Sequence, residues 1–115
     1  YVLAAEALAD RGFFVIRMGQ KVHAGLNSAH PKVIDYAANG MRSDFMDIYL
    51  GAKCAFCISG CCGFEAIPLI FRRPIAYVNM VPVGFLSTFN DRSFWICKVS
   101  TLSNLAASLG CGVSM

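Results

Sequence analysis

Apolar and polar positions follow one another in blocks of changing period, and the changes mark the elements. Tyr1 to Arg11 sets Leu3, Ala4, Ala7 and Leu8 on one side and Glu6, Asp10 and Arg11 elsewhere, which predicts an amphipathic helix ended by Gly12. Phe13 to Met18 is a β-rich run closed by Gly19, the pattern of a buried strand. Gln20 to Pro31 is polar and holds Gly25 and Asn27, so it reads as loop. Val33 to Ala37 is a short strand, followed by a turn through Asn39 and Gly40. Ser43 or Asp44 then caps a helix to Lys53, with Phe45, Ile48, Tyr49 and Ala52 at i, i+3, i+4 and i+7.

The stretch from Cys54 to Asn79 organises the rest. Ala55 to Ser59 is an uncharged run typical of a strand buried on both faces, and Gly60 and Gly63 permit turns that a Cβ would obstruct. From Phe64 the spacing is helical (Phe64, Ile67, Pro68, Phe71), with Arg72 and Arg73 at the negative dipole end and Pro74 as the stop. Ile75 to Val78 is a second strand. The unit is therefore strand, glycine loop, helix, strand, a connection that joins parallel strands by a right-handed crossover. Beyond it, Pro82 and Gly84 lie in an apolar loop, Phe94 to Val99 is a strand or a partner-facing segment around Trp95, and Thr101 to Leu109 is a helix stopped by Gly110. The order of elements predicts an α/β fold, a Rossmann-like parallel sheet flanked by helices.

A glycine loop at the carboxyl end of a buried strand, opening onto a helix N-terminus, favours an anionic group such as phosphate. Glu65 lies in the first turn of that helix, within reach of sugar hydroxyls, with ribose the natural candidate; the plain alternative is a carboxylate that only complements the dipole. Arg17, near the carboxyl edge of the first strand, either reaches the anion or sits on the rim in solvent. Asn79 either contacts a ligand or satisfies the strand end, and Asp35 is a site residue or a turn-former. His23 and His30 read as solvated loop residues, and Asp44 and Asp47 as dipole partners rather than a catalytic pair.

Composition narrows the picture. At 115 residues the chain is one domain, and a first residue of Tyr1 makes it look like a piece of a longer protein. Apolar residues make up 57%. The longest uncharged run, Pro74 to Asn90, holds two prolines, two asparagines and a glycine, which suits buried strand and loop rather than a spanning helix. No signal peptide is visible. A net charge of +3 from scattered basic residues suits anionic small molecules or a lipid surface and argues against nucleic acid. The six cysteines (Cys54, Cys57, Cys61, Cys62, Cys97 and Cys111) read as core thiols of a reducing compartment. Cys54 and Cys57 straddle a strand and point to opposite faces, with no further ligands at hand for a metal.

The strings VIRMG (15–19), VIDYA (33–37), SDFMDIYL (43–50), KCAFCIS (53–59) and PLIFRRPIAYVN (68–79) resemble, in this order, those of a bacterial family of glycosyltransferases. The chain is thus similar, over residues 1 to 90, to the carboxy-terminal half of a GT-B fold, which is shared with the UDP-N-acetylglucosamine 2-epimerases. The resemblance implies a nucleotide-sugar donor, UDP-linked, held by the loop after the strand, with Glu65 on the ribose. Ser59, Gly60 and Glu65 match that pattern; Cys61 and Cys62 stand where relatives place Gly, Ser or Thr. The expected donor-binding set is Ser59, Gly60, Cys61, Cys62, Gly63, Glu65, Arg17 and Asn79. Without a DxD-type acidic pair, departure of the nucleoside diphosphate would be metal-independent, and no cofactor is expected. The acceptor site and catalytic base belong to an amino-terminal half that this chain does not include, so no catalytic residue is assigned. A cytoplasmic location, peripheral at the inner face of the membrane, and a role in surface-carbohydrate assembly complete the expectation. The alternatives are a 2-epimerase and an inactive remnant serving as an interaction domain.

Overall fold

A computed structural model of the chain describes residues 1–22, 24–60, 62–80 and 90–97. Within them lie α1 (Val2–Asp10), β1 (Val15–Ile16), β2 (Val33–Ile34), α2 (Asp44–Lys53), β3 (Cys57–Ser59), α3 (Ala66–Ile70), β4 (Ile75–Met80) and β5 (Ser93–Cys97). All strand pairs are parallel: β1 with β2 in one small sheet, and β3-β4-β5 in another. The molecule is thus a mixed α/β protein, compatible with a Rossmann-like arrangement. Phe13, just before β1, meets Phe56, just before β3, edge to face at 5.7 Å. That contact brings together the residues that enter β1 and β3, while the two sheets remain separate ladders.

Register decides what is buried. Cys57, Ile75 and Ser93 stand level across β3-β4-β5, as do Ser59, Tyr77 and Trp95. Ile75, Tyr77 and Met80 form the core, with Cys57, Leu69 of α3 and Trp95 packed against it. The Tyr77 and Trp95 rings stack at 4.0 Å between centroids. Ile58, Ala76 and Phe94 share the other face, followed by Val78 and Ile96. On that face Ile58, Phe94 and Ile96 stay 40%, 64% and 51% exposed.

Several elements are shorter or turned relative to expectation. The run from Phe13 to Met18 yields only Val15 and Ile16 as strand, because its partner stops early. Tyr36 is buried and its hydroxyl accepts from Ser43 N at 2.9 Å, and Arg17 O accepts from Ala37 N at 3.1 Å, so the two segments stay together past Asp35 without regular strand pairing. In α1 the buried positions are Ala5 and Ala9, while Leu3 is 83% exposed. Two small residues one turn apart let this helix lie close over β1 and β2. In α2 the expected stripe of Phe45, Ile48 and Tyr49 faces outward, and the buried residue is Gly51. Of the two expected candidates, Ser43 caps this helix, its side chain accepting from Met46 N at 3.2 Å, and Asp44 is the first helical residue. Arg42 pairs with Asp47 at 2.7 Å and Asp44 at 3.6 Å, so the acidic first turn answers a side chain as well as the dipole. The helix after the glycine loop spans five residues instead of Phe64 to Phe71. The expected helix over Thr101 to Leu109 and most of the apolar loop after β4 lie outside the described residues.

Candidate functional site

Strand β3 delivers Ser59 to its carboxyl end, and the chain then turns through residues 60–65 before α3. Ser59 is 4% exposed, so its hydroxyl needs a partner. It donates to Glu65 Oε2 at 2.9 Å. The Cys62 thiol approaches the same carboxylate oxygen at 3.7 Å and Ser59 Oγ at 3.8 Å. Side chains six positions apart thereby close the loop, and both interactions fall on Oε2. Glu65 Oε1 makes no hydrogen bond among the described residues.

Gly63 takes φ +92°, a conformation in which a side chain is strained. A Cβ at Gly60 would stand 3.2 Å from the Tyr1 hydroxyl, the tip of an exposed side chain that can move by the few tenths of an ångström needed. The expectation of a turn that needs glycine holds at Gly63 through its backbone angle, and Gly60 is not held to glycine by its surroundings. Tyr1 also accepts from Asn79 Nδ2 at 3.4 Å. Asn79 itself has φ +59° and sits where the β4–β5 register shifts between Val78 and Met80. It is a bulge residue at the sheet's carboxyl end, a place where asparagine is tolerated in the left-handed region. The sequence reading missed Tyr1. Its signal was topological, since a helix that precedes a parallel strand runs antiparallel to it and brings its first residue to the carboxyl edge.

Two expectations about this loop change. Glu65 is the N-cap residue of α3 with helical backbone, one position before the first turn, and its side chain caps no amide. The amides of Ala66 and Ile67 do not point free at an anion, because they donate to Gly63 O at 3.2 Å and Phe64 O at 3.1 Å. The amides of Gly60, Cys62, Gly63, Phe64 and Glu65 make no hydrogen bond among the described residues. Any anion-binding amides therefore belong to the loop itself, and a five-residue helix adds little dipole.

Arg17 is taken up locally. Its Nη1 donates to Ala24 O at 2.9 Å and to Asp35 Oδ2 at 3.1 Å, and the same carboxylate oxygen accepts from Leu26 N at 2.6 Å. Asp35 is thus the organiser of the 24–26 loop. Cys61 and His23 lie outside the described residues. His30 accepts from Lys32 N through Nδ1 at 3.1 Å and faces Asp10 at 3.4 Å, a loop-bracing role.

The cysteines divide by environment. Cys54 is the C-cap of α2 and lies outside β3, with its thiol on Gly51 O at 3.2 Å, so the two cysteines do not flank one strand as expected. Burial raises its pKa, partly offset by the Arg73 charge. Burial pushes Cys57 up to about 12, helped by Cys54, Cys62 and Glu65 nearby. Among the described residues no group of three or more His, Cys, Asp or Glu side chains could hold a metal. Exposed Cys62 is therefore expected to be alkylated by iodoacetamide at pH 8 well before Cys54 and Cys57, as read by peptide mass spectrometry. Equal labelling of all three would contradict the burial. Because the thiol ionises near 9.0 when unperturbed, the stability that Cys57 contributes is complete below pH 9 and falls as pH rises toward 12.

The fold and site define a parallel α/β protein with a closed glycine loop at the carboxyl end of one strand. No protein-family profile, curated protein or solved structure matches the chain. Among the described residues no helix is long and apolar enough to cross a membrane.

Proposed function

We propose that residues 59–65 form the diphosphate and ribose subsite of a nucleotide-sugar donor, and that the chain is the donor-binding half of a GT-B glycosyltransferase serving a surface carbohydrate. The observation that carries this reading is the Ser59–Glu65 hydrogen bond, which holds the carboxylate by one oxygen and leaves Oε1 to accept from a ribose hydroxyl. The unpaired loop amides are suited to phosphate oxygens and to the charge that develops on a departing nucleoside diphosphate. The position agrees with the rule that open parallel sheets bind ligands beyond the carboxyl ends of their strands, where neighbouring connections diverge. The loop after β3 is such a place. Arg17 follows β1 in the other sheet, and its Nε and Nη2 remain as donors while Nη1 holds Asp35. Tyr1 and Asn79 border the same edge. The donor is taken to be UDP-linked and the acceptor half to lie in another domain.

Calorimetric titration with UDP, GDP, CDP, ADP and their sugar conjugates tests the reading. One nucleotide is expected to bind saturably, and Glu65→Ala to weaken it by about 1 to 3 kcal/mol, the effect of leaving a buried hydrogen bond unmade. A folded chain that binds none of them refutes the donor site in this chain.

The exposed apolar face of the β3-β4-β5 sheet favours a second reading, a non-catalytic domain that contributes packing to a larger assembly. Failure of nucleotide binding together with self-association in sedimentation would select it.

A further inference from the structure

At the amino ends of β4 and β5, opposite the glycine loop, a groove of about 660 Å³ is lined by Leu69, Ile70, Arg72, Asn90, Asp91 and Arg92. Its polar side is built from two separate segments, the end of α3 and the turn into β5. Neither guanidinium has an ion-pair partner among the described residues, although Asp91 also lines the groove and leaves its formal charge at +1. Asn90 is oriented by its backbone, since its Oδ1 accepts from Arg92 N at 3.0 Å. Its Nδ2 is then buried without a partner, as is Ser93 Oγ next along the chain. Buried donors are ordinarily satisfied, and Asn90, which lines the groove with the two arginines, carries one whose acceptor the described residues do not supply.

The backbone at Arg72 makes the same point independently. After α3, Arg73 N donates to Pro68 O at 2.8 Å and Arg72 N to Leu69 O at 3.0 Å, the pair of bonds that ends a helix with its C′ residue in the left-handed region. After α1 the same two bonds run from Phe13 N to Leu8 O and from Gly12 N to Ala9 O. There the C′ residue is glycine at φ +100°; after α3 it is Arg72 at φ +53°. An arginine is held where a glycine is unstrained, in a position that brings its side chain into the groove.

We propose that this groove binds a phosphoryl group through Arg72, Arg92 and the Asn90 side-chain amide. Two arginines from different segments and the Asn90 amide supply more donors than a two-oxygen carboxylate accepts, and match the oxygen-rich dianion better. Exposed Ile70 at the groove wall accommodates an apolar portion of the molecule that carries the phosphate, either a soluble ester or a lipid headgroup.

The test is a titration of the isotope-labelled chain with inorganic phosphate and pyrophosphate, following the Arg72 and Arg92 Nε–H and Asn90 Nδ2 signals, with parallel co-sedimentation on phosphatidylcholine vesicles with and without phosphatidic acid. Saturable shifts of these signals are expected, weakened about tenfold or more by Arg72→Gly and by Arg92→Gln. Arg72→Gly restores the unstrained C′ residue, so its thermal midpoint should equal or exceed that of the parent and its loss of binding is not a loss of fold. Soluble phosphate binding assigns a metabolite, and binding only to the acidic vesicles, lost in both variants, assigns a headgroup. Absence of both, shifts confined to residues 59–65, or binding indifferent to both substitutions overturns the proposal. Nucleotide titration of Glu65→Ala reads the other end of the sheet and is independent of it.

Discussion

Gly51→Val is expected to lower stability by about 2 to 3 kcal/mol and to weaken whatever the 59–65 loop binds. Gly51 is the buried residue of α2, at its contact with α3. A Cβ there would stand 2.7 Å from Ile67 Cγ2, 3.1 Å from Ile67 Cβ and 3.3 Å from Phe64 Cζ. A γ-methyl rotates away at little cost, but Ile67 Cβ is fixed to the backbone, so α3 itself must shift. That helix holds the candidate site, because Leu69 N donates to Glu65 O at 3.0 Å and Ser59 is tied to the Glu65 carboxylate. Opposing this, glycine inside a helix is about 1 kcal/mol worse than alanine. Gly51→Ala should therefore be milder, its propensity gain cancelling much of the clash. Valine adds two more methyls to the same gap and recovers less propensity. Urea unfolding of the parent and both variants checks the order; a valine variant as stable as the parent would show that α2 and α3 do not approach as described.

The same interface shows where sequence reading stops. Periodicity located α2 from its Ser43 cap to Lys53, because caps and spacing are local signals. It chose Phe45, Ile48 and Tyr49 as the inner stripe, whereas the partner of α2 is α3, and the narrow gap at Ile67 admits only Gly51. Choice of face depends on a neighbour distant in sequence. In α1 the difficulty was composition, since apolar residues surround the helix and closeness to the sheet selected Ala5 and Ala9 over Leu3. The parallel pairing of β3 with β4 was legible because a strand, a glycine loop, a short helix and a second strand leave one common solution. At the site, the spacing of Ser59 and Glu65 was readable, but their mutual hydrogen bond was not, because it depends on the path of the loop between them. Tyr1, 78 positions from Asn79, carried no local signal, and Arg72 in a glycine's place passed as an ordinary helix-end charge.

Ile75→Ala should destabilise the chain by about 2 to 4 kcal/mol, while Ile58→Ala, one strand away, should change stability by less than about 1 kcal/mol. The two isoleucines belong to adjacent paired strands, Ile75 to the central one and Ile58 to an edge, and they lie on opposite faces. Ile75 stands level with Cys57 and Ser93, is 1% exposed and anchors the cluster of Tyr77, Met80, Leu69 and Trp95. Truncation there removes three carbons from a packed site and leaves a void that the stacked Tyr77 and Trp95 rings are too rigid to fill. Ile58 stands level with Ala76, on the face that also carries Phe94 and Ile96, and is 40% exposed. Its loss opens no cavity. Unfolding midpoints of the two variants in urea measure the difference. Equal, large effects would mean that the second face is covered in solution, by association of the chain with itself, and a concentration-dependent midpoint for the parent would then accompany them.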